Sequence, residues 1–161
     1  MSAPRFAESP GDLLTPDALA QMSGFAFIDG MRTGRFPHPP IAETLDFRLT
    51  EVAEGRVVFE GAPGFGSYNP LGGAHGGWFG TLLDSCMACA VQTTLPKGLG
   101  YTTLEYKVSI LRPAFTDTPP LRAIGTVVKA GRRVASANGE MVGPDGKIYA
   151  TGSTTCLVFE L

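Results

Sequence analysis

Residues 78–95 read WFGTLLDSCMACAVQTTL, and one charge, Asp84, stands alone between His75 and Lys97. No other feature limits the possible folds so strongly. A run of this length and composition predicts a helix, because strands usually end after about 4–8 residues. It is apolar or small on nearly every face, the pattern of a helix enclosed by other structure. A membrane span is the competing reading. Asp84 near its middle would cost roughly 2.5–3.5 kcal/mol on insertion scales, and Gln92 and several threonines add to that. We therefore read the segment as the buried helix of a soluble domain.

The rest of the chain supplies what could enclose it. After Pro96, Lys97 and Gly98, residues 101–111, 121–129, 133–141 and 148–159 read as strands. The turn-type clusters FTDTPP, KAGR and GPDGK separate them, and such short gaps favour antiparallel neighbours over crossovers. Residues 44–52 and 56–61 predict two further strands, with AEG between them as a hairpin turn. Earlier still, Thr15 before Pro16 is an N-cap signal, and Leu19, Met22, Phe25 and Phe27 continue it as a first helix over 15–31. The proline-rich RTGRFPHPP then reads as a fixed connection. The expected fold is α+β: a long central helix wrapped by an antiparallel sheet of about five or six strands. At 161 residues the chain fits one domain, read as residues 41–161, preceded by an N-terminal helical extension and linker over 1–40.

Charge and cysteine content narrow the function classes. Charged residues are 17% of the chain, below the roughly 25% of a typical soluble domain, which suits a protomer that buries a face against copies of itself. With 13 Lys+Arg against 15 Asp+Glu there is no basic field for a polyanion, so nucleic acid is not an expected partner. The opening MSAPRFAESPGDLL has no apolar core of a secretory signal, and three cysteines, Cys86, Cys89 and Cys156, form no disulfide framework. A cytoplasmic protein with reduced thiols is expected.

The chemistry gathers where the Gly-rich loop enters the helix, N-P-L-G-G-A-H-G-G-W-F-G-T-L-L-D from Asn69 to Asp84. Free N–H groups at a helix N-terminus, with the positive end of the dipole, can stabilise a carbonyl oxygen that gathers negative charge. Gly76 and Gly77 would allow close approach there, although glycines also serve simply to make a tight loop-to-helix turn. Asp84 has Gly77, Gly80, Thr81 and Ala88 as helical neighbours. A carboxylate on so small-sided a face must be paired, hydrated or chemically employed. His75 could fix the loop by a hydrogen bond. With His38 the only other histidine, a His-based metal site is not expected. Cys86-Met-Ala-Cys89 lies too deep in the helix for a redox pair and lacks further zinc ligands, so it reads as small core residues. No G-x-S-x-G elbow is present, and G-F-G-S-Y-N lacks the final glycine of a dinucleotide fingerprint.

The ordered set Asn69, His75-Gly76-Gly77 and Asp84, followed by TTLEYKVSILRPA (102–114) and GRRVA (131–135), resembles the hotdog-fold acyl-CoA thioesterases of the phenylacetate-degradation (PaaI-like) type. The resemblance covers roughly residues 43–159. It implies that the Gly76 N–H polarises the thioester carbonyl and that Asn69 positions the thioester or water, with Asp84 as general base or nucleophile. It also implies that Thr103 hydrogen-bonds the carboxylate or its water, with Thr102 the alternative if the register differs by one. Further implications are catalysis at a dimer interface, where Asp84 and Thr103 face the partner's Asn69 and Gly76, and assembly as a homodimer or a homotetramer built as a dimer of dimers. Arg112, Arg132 and Arg133 are candidates for the coenzyme A phosphates. No cofactor is implied beyond coenzyme A as part of the substrate. Phe65, Tyr68, Trp78, Phe79 and Met87 could line an acyl pocket or pack as ordinary core. Two other functions fit such a fold: a non-catalytic acyl-CoA binding module, and a hydratase or dehydratase, which would want a histidine that the helix does not carry after His75.

Overall fold

A computed structural model describes residues 5–161; residues 1–4 of the N-terminal extension lie outside the described residues. Helices α1 (Pro16–Leu19), α2 (Gly24–Arg32) and α3 (Pro40–Thr44) come first, then strands β1 (Phe47–Ala53) and β2 (Arg56–Gly61). The long helix α4 (Gly76–Thr93) follows, then β3 (Leu99–Ile110), β4 (Leu121–Lys129), β5 (Val134–Val142) and β6 (Ile148–Glu160).

The helix expected over 15–31 is divided in two. Thr15 caps α1, the chain turns, and Ser23 starts α2 by accepting from the Ala26 N–H at 3.2 Å. The break follows from docking: the Gly24 N–H donates to the Leu95 carbonyl at 3.0 Å, so α2 must set off from the far end of α4. From there α2 sends Ile28 and Met31 into the common core, so the N-terminal extension packs on the same interior as the sheet. The strand expected from residue 44 begins only at Phe47. Pro40 opens α3 instead, and Asp46 ends the turn with a left-handed φ of 51°.

All six strands join one antiparallel sheet in the order β1-β2-β4-β5-β6-β3. The sheet curls around α4, whose Trp78, Phe79, Leu82, Leu83, Cys86, Met87 and Val91 are buried. Gly125, Gly139 and Gly152 stand side by side across β4, β5 and β6, directly beneath the Leu83–Met87 turn of α4. A Cβ on Gly125 would collide with the main chain of Cys86, and one on Gly139 would lie 2.9 Å from Met87 Cγ. This row lets the helix lie unusually close to the sheet. Along the opposite side of α4, Gly77, Thr81, Asp84 and Ser85 form a strip with partial or full exposure. Among the described residues no helix is long and apolar enough to cross a membrane.

Candidate active site

His75 has extended backbone angles and caps α4, its Nδ1 accepting from the Gly77 N–H at 2.8 Å. Its ring proton therefore sits on Nε2. The Trp78 N–H donates back to the His75 carbonyl at 3.0 Å. Gly77 and Trp78 are thus satisfied locally, and among the described residues no acceptor meets the Gly76 N–H. Gly76 is exposed, and the nearest atom to a Cβ built there is Ile110 Cδ1 at 3.3 Å. The helix start therefore offers one free donor, at Gly76, with the helix dipole behind it.

Asn69 stands in the loop that leads to this cap. Its Oδ1 accepts from the Leu71 N–H at 2.8 Å, and its main chain closes the turn by donating to the Gly73 carbonyl at 2.8 Å. Its Nδ2 makes one long bond to the Ala74 carbonyl at 3.4 Å, leaving the second amide hydrogen unused. Tyr68 latches the loop by accepting from the Thr116 N–H at 2.6 Å.

Asp84 lies two turns further along α4 and is half-buried. Thr103 donates its hydroxyl to Asp84 Oδ1 at 3.0 Å. Burial pushes the carboxyl above the ordinary aspartate range, and the Thr103 hydrogen bond partly opposes that by favouring the charged form. Thr102 is exposed on the other face of β3 and does not join Asp84. A β-bulge explains how β3 presents its next residues. The register with β6 shifts between Thr103 and Glu105, so Leu104 is extra, and the inward set changes from Tyr101 and Thr103 to Tyr106, Val108 and Ile110. Tyr106 covers Gly80, its hydroxyl 3.3 Å from where a Cβ would stand. The sequence reading missed Tyr106, although the change of parity in T-T-L-E-Y-K-V-S-I was its signal.

Gly76 and Asp84 are eight residues apart on one straight helix, roughly 12 Å along its axis. They cannot both touch one thioester carbonyl and its attacking water from within a single chain. The three arginines are also divided. Arg112 follows the end of β3, its N–H on the Tyr149 carbonyl at 3.1 Å, whereas the Arg133 carbonyl accepts from Val158, which pairs with Tyr101 at the start of that strand. Roughly 30 Å of strand separates the two ends. Arg112, Arg132 and Arg133 are all exposed.

Of the aromatic candidates, Trp78, Phe79 and Met87 are core residues, while Phe65 is 79% exposed. The cysteines are free, and burial raises the thiols of Cys86 and Cys89, the latter to about 12, so neither is a thiolate near neutrality. Among the described residues no cluster of three His, Cys, Asp or Glu side chains is placed to hold a metal ion.

Residues 71–150 match the family model described as the thioesterase superfamily. A solved structure titled "putative thioesterase, phenylacetic acid degradation-related protein", from Ralstonia eutropha JMP134, is 32% identical over 81% of this chain and 98% of that one, with a TM-score of 0.73. A hypothetical thioesterase from Streptococcus pneumoniae TIGR4, solved with coenzyme A, shares the fold at 24% identity and TM-score 0.67, covering 74% of this chain and 91% of that one. A Halobacterium salinarum protein named "Putative esterase" is 39% identical over 75 residues, 45% of this chain; the match spans about half of that relative, 48% of its length.

Proposed function

The chain belongs to the thioesterase superfamily and has the hotdog fold, and from that premise we propose that it hydrolyses acyl-CoA thioesters to the free acid and coenzyme A. The observation that carries the reading is the half-buried Asp84 held by Thr103, two helical turns from the unpaired Gly76 N–H. Because one chain cannot bring both to one carbonyl, the working unit is a dimer in which Asp84 and Thr103 meet the partner's Gly76 and Asn69. Residues 41–161 form the hydrolase domain in this account, with 1–40 as an N-terminal extension, of which α2 packs on the core.

The β3 edge supports such a dimer. It has twelve residues and no proline, and Leu104, Tyr106 and Ile110 lie open on it beside the charged Glu105 and Lys107, so it is long and apolar enough to pair with a second copy. Two β3 strands paired antiparallel about a two-fold axis bring Arg112 of one protomer to the end that holds Arg132 and Arg133 of the other. Coenzyme A phosphates bound there would meet guanidinium groups from both chains. The Streptococcus pneumoniae structure, with coenzyme A on the same fold, supports that choice of thiol. The assembly is this dimer or a tetramer of two such dimers, and free thiols suit the cytoplasm.

In the reaction the thioester oxygen accepts from the Gly76 N–H, which stabilises the negative charge formed on attack. Asp84 takes a proton from a water placed by Thr103 and the partner's Asn69, and the water oxygen bonds to the carbonyl carbon. The C–S bond then breaks, and the proton held by Asp84 passes to the departing thiolate. The chemistry uses no metal or further cofactor. A panel of aryl, short-chain and long-chain acyl-CoA thioesters with a thiol-trapping reagent tests it: thiol release by the wild type, lost in folded Asp84→Ala, is expected. Binding without release across the panel would refute hydrolysis and leave a binding module.

A further inference from the structure

Beside the N-terminus of α4 the surface sinks into a cavity of about 330 Å³ whose walls include Leu45, Ser67, Tyr68, His75, Trp78 and Thr81. It opens at the two residues that flank Gly76 and reaches Thr81, one turn before Asp84. No charged side chain lines it, and its polar side chains are engaged with the protein itself except at the mouth, where the His75 Nε2–H meets no acceptor among the described residues. Trp78 Nε1 donates to the Leu45 carbonyl at 3.0 Å, the Ser67 hydroxyl to the Gly64 carbonyl at 2.7 Å and the Thr81 hydroxyl to the Gly77 carbonyl at 2.9 Å. The Tyr68 hydroxyl is held by Thr116, and His75 Nδ1 by Gly77. The larger part of what the walls present is ring faces and aliphatic carbon, with main chain of Gly66 and Gly77 and engaged hydroxyls between them. Phe65, 5.4 Å from the Tyr68 ring, extends the apolar surface at the rim.

We propose that this cavity receives the acyl group and selects acyl chains that are uncharged and free of hydrogen-bonding substituents at their far end. The proposal rests on the thioesterase reading above. With the carbonyl oxygen on the Gly76 N–H, the acyl chain enters between His75 and Gly77 while sulfur and coenzyme A point toward the partner. A terminal carboxylate carried past the mouth, beyond the His75 Nε2–H, would give up its water among Leu45, Tyr68 and Trp78 and find no free donor in exchange. The volume is at the small end of the range for ligand pockets, which sets a limit on chain length.

The test compares thiol release from acetyl-, hexanoyl-, phenylacetyl- and adipyl-CoA, hexanoyl and adipyl having the same length and differing by a terminal carboxylate. In the wild type, kcat/KM for hexanoyl-CoA should exceed that for adipyl-CoA by about 100-fold, two powers of ten for a buried unpaired carboxylate. Leu45→Trp and Thr81→Leu fill the cavity from opposite walls, and each should lower the hexanoyl-to-acetyl and phenylacetyl-to-acetyl ratios by about tenfold, as steric exclusion requires. Circular dichroism establishes that at least one variant is folded. If adipyl-CoA is cleaved as well as hexanoyl-CoA, or a folded filled variant keeps the wild-type ratios, the subsite is wrong while hydrolysis stands. Failure of every thioester with the wild type instead removes the thioesterase reading on which it rests.

Discussion

Replacing Gly125 by alanine tests whether the closeness of α4 to the sheet is what holds Asp84 in place. The added methyl would overlap the carbonyl of Cys86 and stand only 2.6 Å from the Met87 nitrogen. Ordinary contact begins at 3.4 Å, so even the Met87 nitrogen must retreat by about 0.8 Å. All these atoms are main chain, and no side-chain rotation can make room. Overpacking of this kind costs about 1–3 kcal/mol, and main chain on both sides puts Gly125→Ala near about 3. For a domain of this size that corresponds to a fall in Tm of about 6–12 °C. Gly64→Ala is the control: its φ is −77° and nothing lies within 4 Å of the new methyl. It should remain within about 0.5 kcal/mol of the wild type. Thermal unfolding followed by far-UV circular dichroism reads both. Thiol release well below the melt should also fall in Gly125→Ala, because Cys86 and Met87 lie within one turn of Asp84 and their retreat draws the carboxylate from Thr103. A Gly125→Ala protein that melts with the wild type would refute the claim that this row sets the helix position.

The pH dependence of stability should change at Asp84. Burial raises its folded pKa above the unfolded value, so its contribution favours folding below the unfolded pKa and is lost as pH rises through the folded one. Asp84→Asn should therefore melt higher than wild type at neutral pH, with the difference shrinking as the buffer is made acidic, while turnover is lost; a lower melt at neutral pH would contradict this. Thr103→Ala removes a hydroxyl hydrogen bond to a carboxylate, worth about 1.5–3 kcal/mol, and should cost about 10–100-fold in kcat if the bond acts in the transition state. It should also move the acid limb of the pH–rate profile upward, and Thr102→Ala, on the far face of β3, should do neither.

Much of this architecture was legible because the patterns were strong. The uncharged run around Asp84 demanded enclosure, and four later strands bounded by turn clusters could supply it; each appears within one or two residues of its expected ends. Two early expectations failed, the first for a tertiary reason and the second for a local one. The helix over 15–31 is broken because Gly24 docks on the end of α4, a contact to a residue about 70 positions away that no local periodicity reports. The strand expected at 44 starts late because Pro40 opens a helical turn. At the site, the resemblance pointed to Asn69, to the Gly76 N–H and to Asp84, and what the structure adds is that His75 occupies the Gly77 N–H and leaves that of Gly76 without an acceptor. The choice between Thr103 and Thr102 needed the strand's orientation, and Tyr106 was hidden behind the bulge at Leu104.

The central claim is that each site is shared between two chains, Asp84 from one and the Gly76 N–H from the other. Gly76→Pro deletes that N–H at the first helical position, where proline is tolerated, and His75 already has the extended conformation that precedes a proline. Gly76→Pro and Asp84→Asn should each be inactive alone. Unfolded together and refolded as a mixture, half of the dimers carry one of each chain and rebuild one intact site of two, so thiol release should return to about a quarter of wild type. A mixture whose dimers have exchanged chains, shown by mass spectrometry, yet stays inactive would contradict the shared site and place both groups' work within one chain.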